Sequence, residues 1–276
     1  MTITEDNRQY NILYSCVSQQ KRGHQQFVTE HALCHVQTGE IRFHTSNGAY
    51  SYGPGTFALV RRNQLAKSLK LCGSGGEPFR SVNIYLEQDL LRRISTENKI
   101  IAGGPYTGLQ IMTLPPDPFI TGYFDSLLPY YQQPGQLTSP MAELKTRELV
   151  ALLLRTNQQM KAFLFNFSEP HKIDLEAFMN KNFTFHVPIS QFAKLTGRSL
   201  ATFKRDFQRI FALPPEKWLV KKRLEQAHFL IAEKKQRPSV VYLKVGFENL
   251  SRFSDPFEKL FGYNPSSLAS ASAGPV

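Results

Sequence analysis

The chain has 276 residues, enough for two domains that each bury a core, and its 41% hydrophobic and 20% charged residues describe an ordinary globular composition. No run of about 18 apolar residues occurs, which argues against a membrane span. Three scattered cysteines, Cys16, Cys34 and Cys72, form neither a disulfide framework nor a zinc ribbon. The net charge of +11 is uneven: residues 170–276 hold 17 Lys+Arg against 9 Asp+Glu, whereas residues 1–169 hold 16 against 13. A basic excess on one half attracts a polyanion, most often nucleic acid, although a merely soluble basic surface gives the same count.

The opening MTITEDNRQY carries acids and no apolar core, so it is not a secretory signal, and with so few cysteines a reducing cytoplasm is expected. Residues 10–90 are β-rich. YNILYSCV, HALCHVQTGEIRFH, GAYSYGPGTFALV and FRSVNIYL are short, apolar and aromatic, punctuated by Gly and Pro, as in a sandwich or small barrel. PPDPF and QQPGQ break a mixed stretch. A long helix is then expected over residues 141–167, with Met141, Leu144, Leu152, Met160, Phe163 and Leu164 on its apolar face. SEPHK marks a boundary, and everything beyond it reads helical until the small, polar SSLASASAGPV, expected to be a disordered tail.

The basic half contains a duplication. SLATFKRDFQRIFALPP, residues 199–215, and NLSRFSDPFEKLFGYNP, residues 249–265, match at Phe203/Phe253, Phe207/Phe257, Phe211/Phe261 and Pro215/Pro265. In the first copy PISQFAKLTG makes a short helix ended by Gly197, and Ser199 caps a second helix by accepting from an early backbone N–H. Phe203 and Phe207 pin that helix to a core, small Ala193 lets the two helices cross closely, and Ala201, Thr202, Lys204 and Arg205 fall on the outer side. This is a helix-turn-helix. The second copy repeats it with a cap at Asn249, a turn one residue longer, and Tyr242 in place of Ala193. Between them PEKWLVKKRLEQAHFLIAE is a linker helix buried through Trp218, Leu219, Leu224, Ala227 and Leu230. Lys221, Lys222 and Arg223 on it bind phosphate, face solvent or form internal salt bridges.

These segments, with GF-x(5)-F-x(3)-F-x(3)-FG-x(2)-P from Gly246 to Pro265, resemble the AraC/XylS family of bacterial transcription regulators over about 100 residues. The resemblance implies two helix-turn-helix units on one rigid linker, reading successive major grooves of duplex DNA. It places base-reading positions at Ala201, Lys204 and Arg205 in the first unit and at Leu250, Ser251, Arg252 and Asp255 in the second. Arg205 is suited to a bidentate grip on guanine, Lys204 to guanine or phosphate. The second copy departs from the first where Asp255 and Pro256 replace Arg205 and Asp206. An interior proline costs about 3 kcal/mol in an ordinary helix, and Asp255 can accept from a cytosine amino group but on balance is expected to repel phosphate. The second unit is therefore expected to read sequence less strongly.

The N-terminal half resembles the cupin-like sensor and dimerisation domain of AraC regulators, most nearly the ExsA-type subgroup, over about residues 8–130. The whole is then an α+β chain: a cupin-like β-barrel or jelly roll with flanking helices over residues 1–135, a helical dimerisation or linker segment over 136–169, an all-α DNA-binding domain over 170–268, and the tail over 269–276. His24, His31, His35 and His44 match no metal motif, and no catalytic triad, P-loop or zinc-protease pattern occurs, so neither cofactor nor enzymatic activity is expected. The expected partners are double-stranded DNA, RNA polymerase, a small-molecule or protein effector, and a second copy of the chain, with no membrane. The rival readings are a cupin enzyme fused to a DNA-binding tail and a nonspecific, nucleoid-type DNA binder.

Overall fold

The computed structural model describes residues 6–23, 26–133, 135–168 and 170–271, and the chain forms two compact units that divide between Ser168 and Glu169. His24 and the last five residues lie outside the described residues.

Unit 1 is built on strands β1 (Asn7–Gln9), β2 (Ile12–Val17), β3 (Lys21–Arg22), β4 (Phe27–Val28), β5 (His31–Thr38), β6 (Glu40–Thr45), β7 (Gly48–Tyr52), β8 (Phe57–Val60), β9 (Gln64–Leu65), β10 (Lys67–Leu71) and β11 (Phe79–Leu86). Helix α1 (Gln88–Glu97) and strand β12 (Ile111–Leu114) follow, then α2 (Pro118–Asp125), α3 (Leu128–Gln132), α4 (Ser139–Thr156) and α5 (Met160–Phe165). A six-stranded antiparallel sheet runs β1-β2-β11-β5-β8-β12, a four-stranded one β3-β10-β6-β7, and β4 pairs with β9. The period-2 alternation of the large sheet sets its two faces. Leu33, Phe57, Leu59, Val82, Ile84 and Leu86 meet the helices on one side. Cys34, Val36, Ala58, Val60 and Phe79 meet Ile41 and Tyr52 of the smaller sheet on the other. The β-rich core with flanking helices is thus present as two facing sheets and a helical layer.

The helix expected over residues 141–167 is two helices. Asn157 is extended, and its side-chain oxygen accepts the Gln159 N–H at 2.8 Å, a local turn that competes with helix continuation. The expected face also shifts: α4 buries Ala142, Thr146, Leu149, Val150 and Leu153, whereas Leu144 is 59% exposed. This buried face belongs to the unit 1 core, so α4 and α5 complete that unit.

Unit 2 comprises α6 (Leu175–Asn182), α7 (Ile189–Leu195), α8 (Leu200–Phe211), α9 (Pro215–Ala232), α10 (Pro238–Val245), α11 (Leu250–Phe261) and α12 (Pro265–Ala271). Proline at the first position of α9, α10 and α12 suits a helix start because its missing N–H has no intrahelical partner there. The first part of the expected tail is therefore helical, and Leu268 packs on the second helix-turn-helix core. Linker α9 serves two cores: Trp218 meets the rings of Phe207 and Phe211, and Leu224, Ala227 and Ile231 pack with Val241, Val245, Phe253 and Phe257.

Candidate nucleic-acid interface

The two copies share cap, length and closure. Ser199 Oγ accepts the Thr202 N–H at 3.2 Å and Asn249 Oδ1 accepts the Arg252 N–H at 2.8 Å, starting helices of 12 residues each. The preceding helices close alike, Arg198 N–H donating to Ala193 O at 3.0 Å and Phe247 N–H to Tyr242 O at 2.9 Å. That pairing makes Phe247 the counterpart of Arg198 and absorbs the extra residue of the second turn. Pro256 does not interrupt α11, which spans the same length as α8.

Both turns are backed by main chain. Gly197 and Gly246 have positive φ, and a Cβ would strike the His171–Lys172 backbone at the first and the Thr184 carbonyl at the second. The segments flanking α6 thus brace one turn each. His186 adds to the second brace, Nδ1 lying 3.2 Å from Gly246 O and Nε2 3.2 Å from Glu248.

The residues expected to meet DNA lie mostly at the surface. Ser199, Ala201, Lys204 and Arg205 of the first copy are exposed, and Thr202 is half-buried. Asn249, Leu250, Ser251, Arg252 and Asp255 of the second copy are all exposed. Ser199 and Thr202 are also occupied with each other, the Ser199 hydroxyl donating to Thr202 Oγ1 at 3.0 Å. Lys204 lies 3.7 Å from Glu216, and Arg252 3.6 Å from Glu248. On α9, Lys221 is exposed beside Glu225 and Lys222 is half-buried. Arg223 departs from both: it is buried and donates through Nε to Phe183 O at 2.8 Å and through Nη2 to Phe185 O at 2.7 Å. It is a structural strut, neither a phosphate contact nor half of a salt bridge.

Sequence reasoning missed Asp206. Its carboxylate is buried on α8 and accepts from Arg198 Nε at 3.1 Å, a bond that holds its pKa below the usual carboxylate range. Lys172, Arg205 and Arg209 approach the same carboxylate at 3.7, 3.8 and 3.9 Å. The cluster draws on residues 172, 198 and 206, whose spacing carries no local signal. Helix α8 carries Lys204, Arg205 and Arg209 against Asp206, a net +2, while α11 carries Arg252 and Lys259 against Asp255 and Glu258, a net zero.

Unit 1 has a cavity of about 290 Å³ between its sheets, lined in part by Phe27, Val28, Phe43, Val60, Tyr85 and Lys70. Burial pulls the Lys70 pKa down, Asp6 opposing it, and Nζ donates to Ser15 Oγ. Asp6, Lys21, Arg22 and Glu30 line it as well, so charged groups of both signs share the cavity with its apolar walls. Among the described residues no group of three or more His, Cys, Asp or Glu comes together as metal ligands, and no helix is long and apolar enough to cross a membrane.

Residues 31–165 match the family described as the ExsA N-terminal regulatory domain, and residues 192–271 match a helix-turn-helix domain family. The chain is similar to the thermoregulatory protein LcrF of Yersinia pestis, 24% identical over 256 residues that cover 87% of this chain and 90% of that one. It is also similar to the HTH-type transcriptional regulator ExsA of Pseudomonas aeruginosa, 25% identical over 238 residues that cover 83% and 82%. A crystal structure of an apo ToxT variant from Vibrio cholerae aligns with 96% of this chain and 98% of its own at 11% identity and a TM-score of 0.46.

Proposed function

We propose, for a chain that belongs to the AraC/XylS family of transcription regulators, that α8 and α11 enter successive major grooves of duplex DNA and that unit 1 governs the outcome. The observation that carries this is the duplicated scaffold: two capped 12-residue helices, each pinned by buried phenylalanines and each turning an exposed face outward. Linker α9, about 27 Å long at 1.5 Å per residue, packs against both helix-turn-helix copies and holds them together. Adjacent major grooves on one DNA face repeat every 34–36 Å, so a single chain spans an asymmetric site. Ala201, Lys204 and Arg205 read bases from the first unit, and Leu250, Ser251, Arg252 and Asp255 from the second. Ser199, Thr202 and Asn249 fix the helix ends against the strand, and Lys221 and Lys222 meet phosphate. The charge difference between α8 and α11 supports a dominant first unit.

The regulator acts in the cytoplasm as an activator that helps recruit RNA polymerase, a reading supported by its similarity to proteins named transcriptional activators. The unit 1 cavity is the effector site, and the exposed side of α4 is the surface for a second copy. The same kinship supports function as a regulator and not as a catalyst. Genome-wide footprinting of the full chain tests the proposal. The wild type is expected to prefer a small set of sites by about 10³-fold or more over random DNA, and the Lys204→Ala, Arg205→Ala double variant to lose those peaks. A wild type that shows only salt-dependent binding without site preference would be a nonspecific binder, and stoichiometric metal in the purified protein would revive the enzyme reading.

A further inference from the structure

Asp206 is ringed by four cations that play two different parts. Arg198 is fixed: its side chain is 6% exposed, donates to Asp206, and gives Nη1 to Ile173 O at 2.9 Å and to Thr196 O at 2.7 Å. It neutralises the carboxylate, and two main-chain carbonyls hold its Nη1 in place. Lys172, Arg205 and Arg209 stand at 3.7–3.9 Å, beyond hydrogen-bonding reach, with side chains 64, 77 and 76% exposed. Three charges whose counterion is already taken make a compact positive site. Arg205 and Arg209 lie four apart on one face of α8. Lys172 arrives from the segment whose backbone closes on Gly197. Nothing comparable exists in the second copy, where Phe247 stands for Arg198, Pro256 for Asp206 and Asp255 for Arg205.

We infer that Lys172 and Arg209, gathered by the buried Asp206, bind backbone phosphates of duplex DNA along one flank of α8 and leave Arg205 to a base edge. This rests on the reading that α8 enters the major groove. Phosphate contacts set register and carry no sequence information, so they belong beside a base-reading residue and not in its place. The site makes the first helix-turn-helix the electrostatic anchor of the chain. It also puts one phosphate contact on the segment that leads out of unit 1, four residues past Ser168.

The test uses the full-length chain, a duplex enriched from a random pool by the wild type, and a scramble of that duplex. Affinity is measured by fluorescence anisotropy over a series of KCl concentrations. Lys172→Ala and Arg209→Ala are each expected to flatten the slope of log K against log salt by about 0.9 and to weaken both duplexes about fivefold near physiological salt. The ratio between duplexes should stay within about twofold. Arg209→Lys should keep the wild-type slope, and Arg205→Ala should instead collapse the ratio. Trp218 fluorescence during urea unfolding checks that each variant folds. Unchanged slopes in both alanine variants, or a slope that Arg209→Lys does not restore, would overturn the inference while sequence preference in the wild type stands. A wild type that binds both duplexes alike defeats the sequence-reading proposal but not the phosphate site, and one that binds neither defeats both.

Discussion

Lys221, Lys222 and Arg223 follow one another on α9, yet a 100° step per residue carries them from solvent to core. Burial pulls the Arg223 pKa down to about 10, so the guanidinium is still charged at neutral pH, and its compensation is the pair of carbonyls from Phe183 and Phe185. Arg223→Met removes both donations and strands two buried acceptors, which is expected to cost unit 2 about 2–4 kcal/mol. The single tryptophan, Trp218, lies on the same helix and reports the loss in urea unfolding. An unchanged midpoint would mean that water replaces the guanidinium. The same chemistry explains the difference between the two copies. The first closes its turn with the Arg198–Asp206 bond, and the second places Phe247 and Pro256 at those positions, with Phe247 meeting the Phe253 ring at 5.4 Å. Replacing a buried ion pair by apolar groups can be energetically neutral. In the second copy both members of the pair are replaced together, so neither charge is left buried without its partner.

At the scale of elements, Pro256 marks how far tertiary packing overrides local propensity. It deprives the Arg252 carbonyl of its helical N–H, yet Phe253 and Phe257 on either side are fully buried and hold α11 in the length of α8. Pro256→Ala is expected to restore that bond and raise unit 2 stability by about 1–3 kcal/mol. Combined with Asp255→Arg it should also tighten binding to the enriched duplex. If neither stability nor affinity moves, the proline is not what weakens the second unit. The features of these helices that were legible in the sequence are local ones. Ser199 and Asn249 as caps, Gly197 and Gly246 as turns and phenylalanines four apart all act within one or two turns of chain. What escaped needed distant partners. The exposure of Leu144 depends on which side of α4 meets the rest of unit 1, and the cluster at Asp206 joins residues 34 positions apart. Arg223 looked like its lysine neighbours because the carbonyls that hold it lie 38 and 40 residues away.

For the whole molecule, the two units differ in how acid reaches them. Unit 1 buries His31, whose Nδ1 accepts the Arg62 N–H at 3.3 Å, fixing the neutral tautomer, with Phe163 4.7 Å away. Burial, then the charges of Arg62 and Arg61, hold its pKa well below the ordinary value. His35, between the rings of Phe57 and Phe124, is lowered by burial, with Asp125 opposing. In unit 2 none of His171, His186 and His228 is buried. A histidine whose folded pKa is depressed gives the native state its full stability above the unfolded pKa, near 6.5, and the unfolded chain takes the proton first as pH falls. Unit 1 is therefore expected to lose up to about 1.4 kcal/mol per pH unit per histidine below pH 6.5, until each folded pKa is reached. Two signals separate the units: nine of the 11 tyrosines lie in unit 1, so near-ultraviolet dichroism follows it, whereas Trp218 follows unit 2. Urea unfolding at pH 7 and pH 5.5 should move the first midpoint and leave the second nearly still. His31→Leu should lower unit 1 stability at pH 7 but flatten its pH slope. Parallel acid losses in both units, or a slope untouched by that variant, would place the acid sensitivity elsewhere than in these buried rings.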